Sequence, residues 1–134
     1  DNHEKMSHTR AAKIAGIARD IPEQKIEVGT DSGKLLVSGW GSTYGAIREA
    51  VQRSRDRGLD VSHAHVKYIN PFPRNLADLL KRFERVLVPE INLGQLVKVL
   101  RSEFLVPAES FPKIKGLPFK IEEIEDKIRQ LMES

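Results

Sequence analysis

Residues 34–48 read KLLVSGWGSTYGAIR, and this stretch decides the fold. The apolar run at its start predicts a strand that is buried on both faces, as in a parallel sheet. The glycines that follow allow a tight turn, and the residues after them favour a helix. Unpaired amides at a helix start attract anionic or polar groups, so this turn is a candidate site for a ligand or a partner.

The glycine pattern resembles only half of a dinucleotide-binding fingerprint. That fingerprint needs G-x-G-x-x-G and an acidic residue about 20 positions further on, at the end of the next strand. Here Tyr44 stands where the third glycine belongs, and the next predicted strand ends in Lys67-Tyr68. A tight strand-to-helix turn within an α/β sheet is therefore the favoured interpretation.

Composition is that of one ordinary globular domain. The 134 residues are 40% hydrophobic and 31% charged, with a formal net charge of +3. The charges of both signs are well mixed, which argues against nucleic-acid binding. No stretch approaches the roughly 20 apolar residues of a membrane span, and the start does not resemble a signal peptide, so we expect a cytoplasmic protein without membrane contact.

The sequence contains no cysteine. Disulfides, thiolate-ligated iron–sulfur clusters and a cysteine nucleophile are therefore excluded within this chain. Any redox chemistry in which it takes part must be carried by another chain or domain.

Helices and strands alternate along the chain. Strands are predicted near residues 26–28, 34–38, 61–66, 85–89 and 108–111, and helices near residues 3–19, 43–57, 76–83, 95–104 and 121–132. Gly58 is expected to end the second helix and Asn75 to cap the third. This alternation predicts an α/β fold of three layers with a mostly parallel sheet.

Polar residues follow two of the predicted strands. Ser42 and Thr43 come after the first buried strand, and Glu90 and Asn92 come at the end of a later one. Ligands of open α/β sheets gather at this carboxyl edge. The favoured alternative is local: Ser42 or Thr43 caps its helix and Asn92 orders a loop.

His63 and His65 alternate along one predicted strand, so both imidazoles lie on one face of it. Glu90 is the candidate for a third metal ligand. Two histidines that are packed in the core or lie at an interface account for the pattern as well as a metal does, so we predict no metal site.

Trp40 is the only tryptophan, and glycines flank it on both sides. Such a ring either covers the sheet edge or contacts another subunit, since tryptophan is enriched at interfaces. Phe72, which lies between two prolines, is expected to join the same apolar patch. Gly39, Trp40, Gly41, Ser42, Thr43, Glu90 and Asn92 together form the predicted rim for a ligand or an interface.

Four segments carry a resemblance to a known family. They are residues 39–50 (GWGSTYGAIREA), 68–73 (YINPFP), 86–96 (VLVPEINLGQL) and 115–119 (KGLPF). The chain resembles the C-terminal domain of the alpha subunit of 2-oxoacid:ferredoxin oxidoreductases, most closely the 2-oxoglutarate type. The resemblance implies that residues 1–25 are a connector helix and linker and that residues 26–134 are an α/β domain like the C-terminal domain of transketolase.

The resemblance also implies the chemistry of a parent enzyme. Such enzymes oxidatively decarboxylate a 2-oxoacid to an acyl-coenzyme A and reduce ferredoxin, using thiamine diphosphate, magnesium and iron–sulfur clusters. No catalytic residue of the family maps onto this chain, and the Gly-Asp-Gly pattern that binds thiamine diphosphate is absent from it. We therefore expect a domain fragment that binds no cofactor and has no activity alone.

Two functions of different class remain open at this point. The first is a structural and assembly domain whose partners are the other domains of the alpha subunit and the beta subunit, with coenzyme A and ferredoxin serving the whole enzyme. The second is an autonomous binding module for a phosphate-bearing ligand such as coenzyme A. That module would use the helix start at Ser42 and Thr43, with Arg48 or Lys67 nearby.

Overall fold

A computed structural model describes residues 21–68, 71–91, 95–113 and 117–133. Its sheet has four strands, all parallel, in the order β2-β1-β3-β4. The strands are β1 (Gly33–Trp40), β2 (Val61–Val66), β3 (Phe83–Ile91) and β4 (Glu109–Lys113). The helices are α1 (Tyr44–Asp56), α2 (Leu76–Lys81), α3 (Gln95–Phe104) and α4 (Ile121–Glu133), and a short 3-10 turn at Gly41–Thr43 precedes α1.

Helices cover both faces of the sheet, which confirms the predicted three layers. On one face α2 and α3 pack against the sheet through an apolar cluster that includes Leu36, Val86, Val88, Leu80 and Leu100. On the other face α1 and α4 pack through a second cluster that includes Val37, Leu87, Ile47, Val51, Ile128 and Leu131. The two central strands β1 and β3 contain continuous apolar runs because both of their faces are covered by helices.

Strand β1 lies in the middle of this arrangement. Val37 pairs with His63 of β2 on one side and with Leu87 of β3 on the other. All residues from Leu35 to Gly39 are buried. The turn after β1 therefore opens at the centre of the carboxyl edge, between the ends of β2 and β3.

One free margin of the sheet is covered by residues 22–28, which we call the edge segment. Val28 forms a single antiparallel bridge with His63. The His63 amide donates to the Val28 carbonyl at 2.8 Å, and the Glu27 amide donates to the His63 carbonyl at 2.7 Å. The predicted strand at residues 26–28 is thus reduced to one bridge.

Two local predictions about α2 are wrong. Phe83, expected on the apolar stripe of the helix, is the first residue of β3, because the helix ends at Lys81. Asn75 precedes the helix but makes no side-chain cap bond. Its Oδ1 accepts from the Gln24 amide at 2.7 Å and its Nδ2 donates to the Gln24 carbonyl at 3.0 Å, so it holds the edge segment instead.

The other elements follow the predicted pattern. β2 and α3 have the predicted bounds, and Gly58 follows α1 at φ +89° with its amide donating to the Arg55 carbonyl. The helix predicted at residues 3–19 lies outside the described residues. Within the described ranges, no helix has the length and apolar character needed to cross a bilayer.

Candidate functional site

The predicted rim lies at the carboxyl ends of β1 and β3. Trp40 is partly buried, Ser42 is exposed, and Thr43 and Glu90 are buried. Asn92 lies outside the described residues. The structure thus brings Trp40 and Glu90 together, since Trp40 Nε1 donates to Glu90 Oε1 at 3.3 Å.

Two glycines are required by the geometry of the turn. A Cβ on Gly39 would lie 2.3 Å from Ile47 Cδ1 and 2.9 Å from Thr43 Oγ1, so α1 packs directly on the bare backbone of β1. Gly41 has φ +65°, a conformation that other residues rarely adopt. These glycines let the chain turn sharply from the strand into α1.

The expected capping of α1 by Ser42 or Thr43 is not observed. The helix start has no side-chain cap bond. Thr43 Oγ1 donates instead to the Trp40 carbonyl at 2.9 Å. The hydroxyl therefore closes the turn and holds Trp40 in place.

Glu90 accepts hydrogen bonds from the first amides of α3. Its Oε1 accepts from the Leu96 amide at 2.6 Å, and its Oε2 accepts from the Val97 amide at 3.2 Å. The side chain is only 2% exposed. A carboxylate at this position satisfies amides that have no partner within the helix and interacts favourably with the helix dipole.

Three rings meet on the opposite face of the sheet, beneath the start of α1. The ring of Tyr44 lies 4.9 Å from that of His65 and 5.6 Å from that of His63, and the two histidine rings are 5.9 Å apart. We call these residues the Tyr44 cluster. The prediction that both histidines share one face is confirmed.

Charged residues cover the phenol of the Tyr44 cluster. Tyr44 Oη donates to Glu27 Oε2 at 3.2 Å and accepts from an Arg48 guanidinium nitrogen at 3.3 Å. The edge segment, α1 and β2 are thereby joined at one point.

Burial favours the neutral form of both histidines. The pKa of His63 is lowered to about 3, mainly by burial and also by the neighbouring His65 and Arg48. Burial also lowers the pKa of His65, against the opposing effect of the Glu27 carboxylate. Among the residues that the structure describes, neither ring nitrogen of His63 finds a hydrogen-bond partner, although the side chain is fully buried.

Glu90 does not complete a metal site with these histidines. Its side chain shares a face with Val86 and Val88, whereas His63 and His65 share the other face with Val61. The structure over its described ranges contains no group of three or more histidine, aspartate or glutamate side chains placed to hold a metal ion.

A cleft of about 220 Å³ lies at the carboxyl end of β2. Its lining includes His65, Lys67 and Tyr68 from β2 and the chain that follows it, with Lys25 and Glu27 from the edge segment. Charges of both signs face this space, which does not favour one class of ion.

Sequence reasoning did not anticipate the roles of Tyr44, Glu27 and Arg48. In the sequence, Tyr44 is notable only because it replaces the third glycine of the dinucleotide-binding fingerprint. Tyr44 and Arg48 are four residues apart on α1, a spacing that places them side by side, but nothing local indicates that Glu27 joins them.

Comparison with known proteins places these features in context. Residues 33–124 match the family described as pyruvate:ferredoxin oxidoreductase core domain II. The 2-oxoglutarate oxidoreductase subunit KorA of Mycobacterium tuberculosis is 48% identical over 123 residues, which cover 92% of this chain and 18% of the relative. Subunit alpha of 2-oxoacid:ferredoxin oxidoreductase 2 of Aeropyrum pernix is 32% identical over 134 residues, covering 96% of this chain and 21% of the relative.

Two solved structures superpose on this chain. A 2-oxoglutarate:ferredoxin oxidoreductase from Magnetococcus marinus, with 2-oxoglutarate, coenzyme A and succinyl-CoA bound, superposes with a TM-score of 0.87 at 29% identity, over 98% of this chain and 23% of that one. An inactive split-gene transketolase tetramer superposes with a TM-score of 0.57 at 11% identity, over 75% of this chain and 38% of that one, and shares the fold alone. The chain spans about a fifth of the length of the curated relatives described above.

Proposed function

The chain belongs to the pyruvate:ferredoxin oxidoreductase core domain II family, and we propose that it is a non-catalytic structural domain of the alpha subunit of a 2-oxoglutarate-type oxidoreductase. Identity of 48% with a 2-oxoglutarate oxidoreductase subunit over 92% of the chain is the observation that carries this proposal. The chain spans only about a fifth of that relative's length, so the activity belongs to a larger assembly.

For the whole enzyme we propose the reaction of the family. A 2-oxoacid reacts with coenzyme A, carbon dioxide is released, and the two electrons of the oxidation reduce ferredoxin while the acyl group forms a thioester. We propose 2-oxoglutarate as the acid and the cytoplasm as the location. The neighbour of known structure was solved with 2-oxoglutarate, coenzyme A and succinyl-CoA bound, which supports this choice of substrate class.

The residues of this chain do not fit the cofactors of that reaction. Iron–sulfur clusters are held by cysteine thiolates, and the sequence has no cysteine. The Gly-Asp-Gly pattern of thiamine diphosphate enzymes is also absent, and the described residues offer no group of metal ligands. We propose that other domains and the beta subunit hold these cofactors.

The polar groups of the rim support a role in assembly. Glu90 is used by three donors within the chain, and Thr43 is bound to the Trp40 carbonyl. These internal bonds hold the shape of the surface at the rim. We propose that this rim contacts the neighbouring domains of the alpha subunit and the beta subunit.

A second function remains a candidate because of one observation. Lys67 and Lys25 line the cleft at the carboxyl end of β2, and two lysines are suited to a phosphate-bearing ligand such as coenzyme A. Arg48, the other predicted phosphate contact, is already bonded to Tyr44. Glu23 and Glu27 share the lining with the two lysines and weaken the attraction for an anion.

Calorimetric titration of the 134-residue chain separates the two functions. If the domain is structural, titrations with coenzyme A, thiamine diphosphate and NADP are flat, and the chain alone reduces no ferredoxin with 2-oxoglutarate and coenzyme A. Saturable micromolar binding of coenzyme A that is lost in Lys67→Ala and kept in Lys98→Ala would favour the binding module. Turnover by the chain alone would refute the structural role.

A further inference from the structure

We propose that the edge segment is an acid-sensitive strap: the Tyr44 cluster takes up a proton only when this segment moves away from β2, so acidification opens the segment while the sheet beneath it stays folded. The proposal goes beyond the proposed function and does not depend on it.

The edge segment covers His63 from the margin of the sheet. Val28 and His63 form an antiparallel bridge, and directly paired residues of antiparallel strands place their side chains on the same face. Val28 therefore lies beside the His63 ring, on the face where the ring of Tyr44 approaches it from α1. With the segment in this position, the side chain of His63 has no exposed surface.

The closed cluster offers no acceptor for an additional proton on His63. An imidazolium carries a charge and two N–H donors, and within the described ranges both ring nitrogens of His63 lack a hydrogen-bond partner. The phenol and the carboxylate beside the cluster already bond to each other, since Tyr44 Oη donates to Glu27 Oε2 at 3.2 Å. A proton on the buried ring would therefore be costly.

The charges around the two imidazoles do not overcome this cost. The titratable and charged groups near them are Glu27 from the edge segment, Tyr44 and Arg48 from α1, and Lys67 after β2. Burial, His65 and Arg48 together lower the pKa of His63 to about 3. Burial also lowers the pKa of His65, although Glu27 opposes it. Protonation is thus coupled to exposure of the rings to water.

The edge segment is the part of the cover that opens at least cost. It lies at the margin of the sheet and is held to β2 by a few backbone bonds, among them Glu27 N–H to the His63 carbonyl at 2.7 Å and His63 N–H to the Val28 carbonyl at 2.8 Å. Strand β1, in contrast, is paired on both sides. Segments with few contacts open locally at a lower free energy than core strands do.

Gly29 provides the hinge for this movement. Its φ of +103° is a conformation that glycine adopts without strain. Directly beyond it, the Thr30 amide donates to Ser62 Oγ at 3.0 Å, so the chain is fixed to β2 again after the hinge. The edge segment can therefore move as a unit while β1 and β2 remain paired.

The direction of the pH effect follows from the two states of His63. The pKa is about 3 when the segment is closed and returns toward 6.5 when the ring meets water. Between these values the open state binds a proton that the closed state does not, so opening becomes more favourable as pH falls below 6.5. From pH 7 to pH 5, His63 alone raises the opening constant by up to about 25-fold.

Hydrogen exchange of the 134-residue chain, measured by NMR as protection factors at pH 7 and pH 5, tests the proposal. The amides of Glu27 and His63 report on the edge segment, and the amide of Val37 reports on the central strand β1. We expect Glu27 and His63 to be less protected than Val37 at both pH values, and their protection to fall tenfold or more between pH 7 and pH 5.

Two results would overturn the proposal. Equal protection of all three amides would mean that the segment opens only when the whole domain unfolds. Lower protection of Glu27 and His63 that does not change with pH would mean that opening leaves the histidines buried.

Two variants separate the titrating group from the attachment of the segment. In His63→Leu the decrease of protection between pH 7 and pH 5 should lose most of its size, and an undiminished decrease would refute the role of His63. Tyr44→Phe is the matched variant, because it keeps the aromatic ring and removes only the bond to Glu27. It should lower the protection of the Glu27 amide at both pH values, and unchanged protection would refute the attachment through the phenol.

Discussion

Ile47 Cδ1 occupies the place where a side chain on Gly39 would begin: a Cβ built on Gly39 would lie only 2.3 Å from it. Both residues are buried, one in β1 and the other in α1. The distance between the sheet and this helix is therefore set by the absence of a side chain at position 39.

Gly39→Ala is expected to destabilise the domain. The added methyl group overlaps Ile47 and Thr43, and such overpacking costs about 1–3 kcal/mol of unfolding free energy. Gly45→Ala is the matched control, because a Cβ there meets nothing within 4 Å and alanine favours a helix by up to about 1 kcal/mol. Urea unfolding measures both variants, and equal midpoints for the two would contradict the close packing of α1.

His63 is expected to make stability depend on pH. Its pKa is about 3 in the folded chain and 6.5 for an unperturbed histidine, so between these values the unfolded chain binds a proton that the folded chain does not. The free energy of unfolding therefore falls as pH decreases below 6.5, by up to about 1.4 kcal/mol per pH unit. The decrease in unfolding free energy that His63 causes is complete near pH 3.

Urea unfolding at pH 7 and pH 5 measures this effect. In His63→Leu the difference between the free energies of unfolding at pH 7 and at pH 5 should be smaller than in the unmodified chain. NMR titration provides an independent check, since the His63 ring should remain neutral at pH 5. Protonation of this ring above pH 6 would show that its burial does not control its charge.

Asn75→Ala is expected to loosen the edge segment. The substitution removes two bonds to the backbone of Gln24, a loss of about 1–2 kcal/mol. Hydrogen exchange at the Gln24 amide should become faster. Asn75→Asp keeps the acceptor and loses the donor, so its effect should be intermediate, and unchanged exchange in the alanine variant would refute this role.

Leu105→Gly is expected to stabilise the chain. Leu105 is 84% exposed and has φ +54°, the one positive value of a residue other than glycine in the described structure. Glycine adopts this conformation after a helix without strain, so a gain of about 1 kcal/mol is expected. Leu117→Gly, also at an exposed position, should show no gain. A lower melting temperature of Leu105→Gly would indicate that the leucine contributes contacts of its own.

The fold could be predicted because its determinants are local. The apolar runs of β1 and β3 each stand within one segment of sequence, and so does the helical spacing of Leu96, Val97 and Leu100. Phe83 was misassigned because its spacing from Leu79 and Leu80 continues the helical pattern. The backbone nevertheless turns at Arg82, where β3 begins to pair with β1.

The side-chain bonds of the site could not be predicted, because their partners are far apart in sequence. Asn75 bonds to Gln24, 51 residues away, and Trp40 bonds to Glu90, 50 residues away. The sequence indicates that Asn75 prefers a helix cap and that Glu90 lies at the end of a strand, and both positions imply that the side chain needs a hydrogen-bond partner. Which partner it bonds to depends on how the sheet packs in three dimensions.

The single bridge between Val28 and His63 has a consequence for solubility. β2 forms one margin of the sheet, and unpaired backbone groups at a margin are a template on which strands of other molecules can add. Glu27 and Val28 of the edge segment bond to the backbone of His63 in the middle of β2, so added strands cannot pair there. A chain shortened to begin at Gly29 is therefore expected to aggregate through β2, which light scattering would detect.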